Sequence, residues 1–478
     1  MGAKASLVRA NPLLGFGLIA ALITGCAPLP DGVRPHFPFA QNWASPSPAA
    51  PRLLDDALWW QGFRNAPLDG LIARALVGNP GLAAAQARSK AAYAAAQAVP
   101  GAVQASGGLG AEASGGSLAN KSGEASGDFT LEILFDPGRG RESERRAVRG
   151  AAGLATAQAA GARLFLINEV TDAYLTLRYD QKRLALTQAG ARRQQQTLKL
   201  AHTLAEAGES TRIEVLRSQA GLASLDAQLP AIEASIGRSL ARLAVLAGDA
   251  PGALPPNLQA ALQAMDAQPR ATLPPDPGIP ADLIRNRPDI QAAEASYDIA
   301  VANLGQARAA LYPRLSIAGT IEAQRSFGAG GSSAVSVGPS LRFPALPPGP
   351  AKAGVTAATG RVEAAYADWT SAVLQALYEV EAALLDYRAA ARTEAATDRA
   401  VALHKKTTAL TRDAASAGEA TLGDLITVEA ALAQAEAAQA EARLTRAQAF
   451  MQLNIRLGSG SRAPATRSST VAPPAPVK

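Results

Sequence analysis

Three histidines, one cysteine and a handful of glycine-rich turns are the residues of this 478-residue chain that first invite a chemical reading. His36, His202 and His404 show no zinc-ligand spacing; His202 and His404 are isolated in helical stretches, and an offset of 210 that otherwise organises the chain does not relate them. "GGSLANKS" (Gly115 to Ser122) nearly spells a phosphate-binding loop. Asn120 replaces the glycine that must precede the lysine, no buried strand leads in, and no helix follows. "GRGR" (Gly138 to Arg141) reads as a turn carrying interfacial arginines. Tyr174, Tyr366 and Trp369 recur at helical spacing, which suits seam packing or interfacial anchoring better than a ligand box. These residue types point away from an enzyme and away from a metal or other cofactor.

The residues that do repeat are acids, glycines and threonines. "AGESTRIEVL" runs from Ala207 to Leu216, and "AGEATLGDLI" runs from Ala417 to Ile426, an offset of 210. Gly208 and Gly418 suit the left-handed residue that stops a helix. Thr211 and Thr421 are placed to cap the next helix, with Glu214 and Asp424 three residues on, as in a capping box. Glu209 and Glu419 fall just before those helix starts, where negative charge is favoured. Each decapeptide is therefore expected to be a tight helical hairpin tip, at 207–211 and 417–421.

The elements that hold these tips repeat as well. Glu169-Val170 pairs with Glu379-Val380, Gly150 with Gly360 and Gly248 with Gly458, all at 210. Upstream, "NPGLAAA" at Asn79 answers "RPDIQAA" at Arg287 in a looser register. The echo implies an internal duplication of one long unit rather than a short-period solenoid. "AVQASGGLGAEAS" and "DFTLEILF" read as strands of a first hairpin, 102–135, joined by a polar loop over 115–126. "RLSIAGTIEA" and "VSVGPSLRF" give a second, 314–343, in which Pro339 is out of place for a central strand. Each strand has about the ten residues that cross a bilayer when tilted. Long helices follow at about 139–207 and 350–417. The first carries a stripe at Ile167, Val170, Tyr174, Leu177, Gln181 and Leu184; the second carries Leu377, Val380, Leu384 and Tyr387. Helices over 66–98 and 211–247 supply 70 positions against the 69 of the first long helix. Helices over 281–311 and 422–457 supply 67 against 68 in the second half. Two short helices stacked end to end would thus run beside each long one.

The domain plan expected from this pattern is a signal peptide at 1–25, a tether at 26–57, a first repeat at 58–248, a linker at 249–277, a second repeat at 278–458 and a disordered tail at 459–478. Lys4, Arg9 and the apolar "PLLGFGLIAALIT" make a bacterial secretory signal, too short to span a membrane. It ends in "ITGC", with the chain's only cysteine, Cys26. This resembles the lipobox of bacterial lipoproteins, with Ile23 in the usual leucine position, and implies a covalent lipid, palmitate included, on Cys26. Ala27 in place of aspartate implies an outer-membrane destination. Formal net charge is +6, its basic residues are dispersed, and no clustered basic face offers itself to nucleic acid.

Four strands cannot close a membrane barrel alone, because open edges would leave backbone groups unpaired in lipid. The chain must pool strands with copies of itself, and three copies would give a twelve-stranded barrel continued by a helical cylinder. The sequence resembles the TolC-like outer-membrane factors, of the lipid-anchored NodT/OprM type. The resemblance rests on "LWWQGF" with "PLDGLIARALVGNP", on "FDPGRGR" with "NEVTDAYLTLRYDQKRL", and most sharply on the stretch from Gly278 to Gly319. It implies a mainly α fold with a membrane β-barrel part: a homotrimer with a long coiled-coil tunnel, lipid-anchored in the outer membrane and reaching into the periplasm. It also implies an exit duct of a tripartite efflux system, partnered by a periplasmic adaptor (membrane fusion) protein and an inner-membrane pump, commonly of the RND type. "PALPPGPAKAG" (Pro344 to Gly354) departs from the glycine-arginine turn expected after the second hairpin.

In a trimer Glu209 and Glu419 would set six carboxylates around the periplasmic aperture, with Arg212 as a gate partner and Asp424 beside them. The competing reading is that they only favour helix N-termini. Gly208, Thr211, Gly418 and Thr421 are candidates for adaptor docking, because the family meets its adaptor at the tips. The alternative function is a lipid-anchored coiled-coil envelope protein without a pore, which leaves the two strand hairpins unexplained.

Overall fold

The structure is a computed structural model that describes residues 37–44, 56–99, 101, 103–115, 121–136, 138–208, 210–271, 280–282, 286–326, 330–344 and 346–462. The signal segment, Cys26, His36, Glu209 and residues 463–478 lie outside the described residues. Contacts divide the chain into two compact units. One holds Ser89–Ala155 and Ala292–Ser371; the other holds Pro38–Arg88, Thr156–Gln291 and the chain from Ala372 onward.

The first unit contains a four-stranded antiparallel sheet in the order β1 (Val103–Gly115), β2 (Lys121–Phe135), β3 (Arg314–Ser326), β4 (Gly330–Arg342). Each strand pairs only with its sequence neighbours, so β1 and β4 are open edges, both of 13 residues. Pro339 lies on edge strand β4 opposite Ile317, where its missing N–H costs no central ladder bond. β2 begins at Lys121, not after a polar loop reaching Ser126. Ser122 to Gly127 hold no large apolar residue and so hide their alternation. They nonetheless extend the pairing with β1, and Glu124 pairs with Ser326 of β3. In the same unit Trp369 is buried, with Tyr366 at 6.0 Å and Tyr297 at 6.0 Å from Tyr366 in turn. Tyr366 remains 42% exposed, so it is a rim residue rather than core.

The helices, in chain order, are α1 (Ala66–Gly78), α2 (Pro80–Ala98), α3 (Gly140–Glu206), α4 (Arg212–Asp226), α5 (Leu229–Leu246), α6 (Pro256–Gln263), α7 (Pro288–Ala309), α8 (Gly349–Ser416) and α9 (Leu422–Arg456). α3 has 67 residues and α8 has 68. The pattern expects one helix over 66–98 and one over 211–247, and each is two. Asn79, ahead of Pro80, is extended, as the residue before a proline prefers. Pro230 sits in the first turn of α5, where its missing N–H is harmless and where it forces a fresh start. The helix expected over 281–311 begins only at Pro288, after a 3-10 turn at Pro280–Asp282. Within the expected linker 249–277 stands α6. The first helical turns span Asp56–Phe63, and Ala44, inside the expected tether, donates its backbone N–H to Glu381 Oε1 at 2.6 Å.

In the second unit the stripe Ile167, Val170, Tyr174, Leu177, Gln181, Leu184 is buried throughout. On α8 the buried line is Val373, Ala376, Val380, Ala383 and Leu384, while Leu377 and Tyr387 are only half-buried. Alanines at the close-packed positions move that seam. Trp59, Trp60, Phe63, Leu68, Leu71 and Ile72 gather with Phe450 and Met451 into the main core. Ser459 and Ser461, expected in a disordered tail, are buried there. The Gly460 carbonyl accepts from Arg163 Nε at 2.9 Å, and Ser461 Oγ donates to the Asn286 carbonyl at 3.0 Å.

The two halves use corresponding contacts, at an offset of 208 on the donor side and 210 on the acceptor side. Asn79 Nδ2 donates to the Leu246 carbonyl at 3.0 Å, and Arg287 Nη1 donates to the Arg456 carbonyl at 2.9 Å. Gly248 and Gly458 are left-handed, at φ of +87° and +77°; a Cβ would strike the carbonyl oxygen of Gly78 or Asn286 respectively. Arg178 is fully buried. It donates to the Tyr174 hydroxyl, to Gln181 Oε1 and to the carbonyls of Ala261 and Ala264, so the C-terminus of α6 is capped by a cation from α3.

Candidate functional site: a two-faced sheet and two capped tips

The register of the sheet sorts its residues by face. Phe129, Leu131, Ile133 and Phe135 of β2 stand opposite Ile321, Gly319, Ile317 and Leu315 of β3. Leu315, Gly319 and Ile321 stand opposite Leu341, Val337 and Val335 of β4, and Val103 of β1 stands opposite Ile133. One face is therefore continuous apolar surface. Nothing among the described residues covers it: Leu109 is 96% exposed, Val337 75% and Val335 71%. The other face is polar. Thr130 is opposite Thr320, with their hydroxyls 3.4 Å apart, Asp128 is opposite Glu322, and Ser316 is opposite Ser340. A sheet that is apolar on one side and polar on the other, with no cover for its apolar side among the described residues, fits a wall between lipid and water. Among the described residues no helix is long and apolar enough to cross a membrane.

At the base of the polar face, Gln104, Arg314 and Arg342 share a cavity of about 620 Å³ with Arg141 and Glu144 from the first turns of α3. Among the described residues no group of three histidine, cysteine, aspartate or glutamate side chains is gathered for a metal.

The tips are built in the second unit. α3 ends at Glu206, and Gly208, at φ +78°, donates to the Ala205 carbonyl. Gly418, at φ +76°, donates to the Ala415 carbonyl, and Glu419 N–H donates to the Ala414 carbonyl at 2.8 Å, a paired C-terminal closure of α8. Thr211 Oγ1 accepts from Glu214 N–H at 3.3 Å, and Glu214 Oε2 accepts from Thr211 N–H at 3.1 Å. Thr421 and Asp424 repeat this at 3.1 and 3.2 Å, so the aspartate box is as complete as the glutamate one. The Ser210 hydroxyl, then the Thr211 amide, hold the Glu214 carboxyl below its usual range. The Thr421 hydroxyl, then its amide, do the same for Asp424. Ala201, Val215, Leu422 and Leu425 form a small core between the two tips.

Of the gate candidates, Glu419 is exposed, and Arg212 is exposed with no carboxylate in ion-pair range among the described residues. Asp424, grouped with them by its position, has its carboxylate engaged by Thr421. The acids that do tie helices together went unnoticed in the sequence. Glu429 is buried, accepts from Thr197 Oγ1 of α3 at 2.9 Å and pairs with Arg412 of α8. Glu436 pairs with Arg193 at 3.1 Å and Lys405 at 3.7 Å. Glu394 is buried among Arg270, Arg443 and Arg446. A signal existed: Leu425, Glu429, Leu432, Glu436 and Ala440 step along α9 at seam spacing, so two acids occupy core positions.

A family model described as Outer membrane efflux protein matches two stretches, residues 71–249 and 279–459. The chain is 30% identical over 478 residues to a nodulation protein T of Rhizobium leguminosarum bv. viciae, covering 96% of each. It is 28% identical over 449 residues to the pyoverdine export outer membrane protein OpmQ of Pseudomonas putida, covering 88% of this chain and 92% of that one. Its fold is similar to the outer-membrane channel OprN, with a TM-score of 0.76 and 27% identity over 90% of this chain and 99% of the other. It is also similar to the open state of the Neisseria gonorrhoeae MtrE outer membrane channel, with a TM-score of 0.76 and 24% identity over 92% of this chain and 99% of the other.

Proposed function

The chain belongs to the outer membrane efflux protein family, and on that premise we propose that three copies pool their sheets into one twelve-stranded barrel. The protein is an outer-membrane exit channel of an efflux system in a Gram-negative bacterium, and its relatives are channels rather than enzymes. The observation that carries the trimer is the sheet itself. Among the described residues its apolar face has no cover, and its two edges, β1 and β4, are equal in length and unpaired. In lipid an unpaired edge costs several kcal/mol per backbone group, so the edges must meet those of other copies. β1 of one copy then pairs with β4 of the next, and the polar faces line the lumen.

The capped tips are the periplasmic end in this reading. Glu209 and Glu419 supply an acidic ring there, and Arg212 is a local counter-charge. Gly208, Thr211, Gly418 and Thr421 fix the shape presented to a periplasmic adaptor protein, with an inner-membrane pump of the RND type behind it. Cys26 carries a covalent lipid that anchors the chain, and no other cofactor is required. The 210-residue offset in the sequence, with corresponding contacts at offsets of 208 and 210, supports descent from a duplicated unit.

Single-channel conductance in planar bilayers tests the reading. Wild type is expected to show a low, cation-selective conductance. A Glu209→Ala/Glu419→Ala variant is expected to open or to lose selectivity. Unchanged conductance in the variant would leave a channel whose tip glutamates serve only the helix starts. No conductance from folded oligomers would favour a lipid-anchored structural protein of the envelope.

A further inference from the structure

Arg314 and Arg342 stand directly opposite each other at the start of β3 and the end of β4, on the same face as the opposed pair Ser316 and Ser340. Like charges in opposed positions repel, and a sheet gains nothing from such a pair unless something negative lies between them. Neither arginine has a carboxylate within ion-pair distance among the described residues, and both are exposed on the polar face. A third guanidinium reaches the same cavity from α3. Arg141 is half-buried and oriented, because the Gln104 amide oxygen, turned to satisfy both groups, accepts from its two terminal nitrogens at 2.5 and 2.6 Å. That bond fixes the fork without neutralising it. Arg141 also lies in the first turn of a 67-residue helix, whose N-terminal end is positive in its own right.

The cavity they share, about 620 Å³, is of the size that holds small molecules. Glu132 and Glu144 also line it, and Asp136 Oδ2 accepts from the Arg141 backbone N–H at 2.9 Å, so three carboxylates stand near the three guanidiniums while the forks of Arg314 and Arg342 stay without an ion-pair partner among the described residues. Farther along the same face the sign reverses, with Glu124, Asp128 and Glu322 on the polar side and Asp128 directly opposite Glu322. The second half of the chain supplies no helix arginine here: at the offset of 210, Arg139 and Arg141 correspond to Gly349 and Ala351. The strand arginines Arg314 and Arg342 take that place instead.

We propose that Arg141, Arg314 and Arg342 form an anion subsite at the base of the sheet's polar face, which binds the carboxylate groups of soluble cargo on its way through the channel. The proposal rests on the polar face being the lumen. Guanidinium forks match carboxylates with two parallel hydrogen bonds, which a lysine cannot do. An acidic barrel alone would exclude such cargo, and a cationic collar at its base gives it a place to enter.

The test uses the full chain in bilayers of neutral phosphatidylcholine, with citrate as the probe. Wild type is expected to be blocked by citrate. Arg314→Gln/Arg342→Gln is expected to raise the half-blocking concentration by about tenfold or more and to shift the reversal potential toward cations. Arg314→Lys/Arg342→Lys, which keeps the charge and guards against misfolding in the glutamine variant, is expected to retain the selectivity but weaken the block. Equal citrate block and equal reversal potential in wild type and the glutamine variant would overturn the subsite. Block that vanishes when phosphatidylglycerol is added would assign the arginines to lipid phosphate and also overturn it. A wild type that does not conduct would sink the channel reading alone. Calorimetric citrate binding to the detergent-solubilised protein then decides the subsite, since it must be lost in the glutamine variant.

Discussion

At the scale of single residues, the two tips are held by small, nameable interactions. Thr211 and Thr421 each close a capping box, and their replacement by alanine is expected to cost about 1 kcal/mol per tip. Hydrogen exchange at the amides of Glu214 and Asp424 reads this loss locally. The same amides report pH. Both carboxyls are depressed in the folded chain, so their stabilising contribution is present at neutral pH and is lost as pH falls through the depressed values. Protection at both tips is expected to fall below about pH 4; the dependence should weaken in Thr421→Ala, which removes the hydroxyl on Asp424, and persist in Thr211→Ala, where the Ser210 hydroxyl and the backbone amide of residue 211 still hold Glu214. Thr-x-x-Glu and a following helix announce these caps in the sequence, because capping is a local rule. Arg178 and Glu429 were illegible for the opposite reason. Their partners are carbonyls and side chains far along the chain, and a polar residue at a seam position says that something pairs with it without saying what.

At the scale of elements, the long helices, the hairpins and the tips were readable from period and punctuation, while the breaks were not. Prolines at 80 and 230 end one helix and begin another, and a periodicity count runs across both. The opposite error concerns β2, whose glycine and serine residues look like loop until β1 and β3 supply partners. Near the tips, α9 is tied to α3 and α8 through Glu429, whereas the equivalent residue on α4 is Gln219. Glu429→Ala leaves Thr197 and Arg412 without their acceptor and is expected to cost about 1–3 kcal/mol, with Arg412 half open to solvent. Exchange should quicken along the first turns of α9 and not along α4. Equal change in both helices would count against an asymmetric tie.

At the scale of the whole molecule, each chain presents an apolar sheet face that nothing among the described residues covers. Val335 and Ser336 are neighbours on β4 that point to opposite faces. Val335→Arg is expected to cost about 2–4 kcal/mol near the middle of a bilayer, whereas Ser336→Arg faces water and costs little. The readout is recovery of heat-resistant oligomers after reconstitution into liposomes. Loss with both substitutions, or with neither, would contradict the assignment of faces. The need for further copies is legible in the strand number alone, since four strands with two edges are not a closed object.

The burial of Trp59 against Phe450, with rings 6.1 Å apart, also governs timing. A ribosome makes these two residues at opposite ends of its task, and the last wall of the principal core, Ala447, Phe450 and Met451, arrives long after the rest of it. Until then Trp59 and Phe63 lack one of the rings that pack on them, and such an incomplete core exposes apolar surface of the kind that chaperones hold. A chain stopped before Phe450 is expected to leave the cell's secretion machinery intact but to be degraded in the periplasm, as pulse-labelling would show.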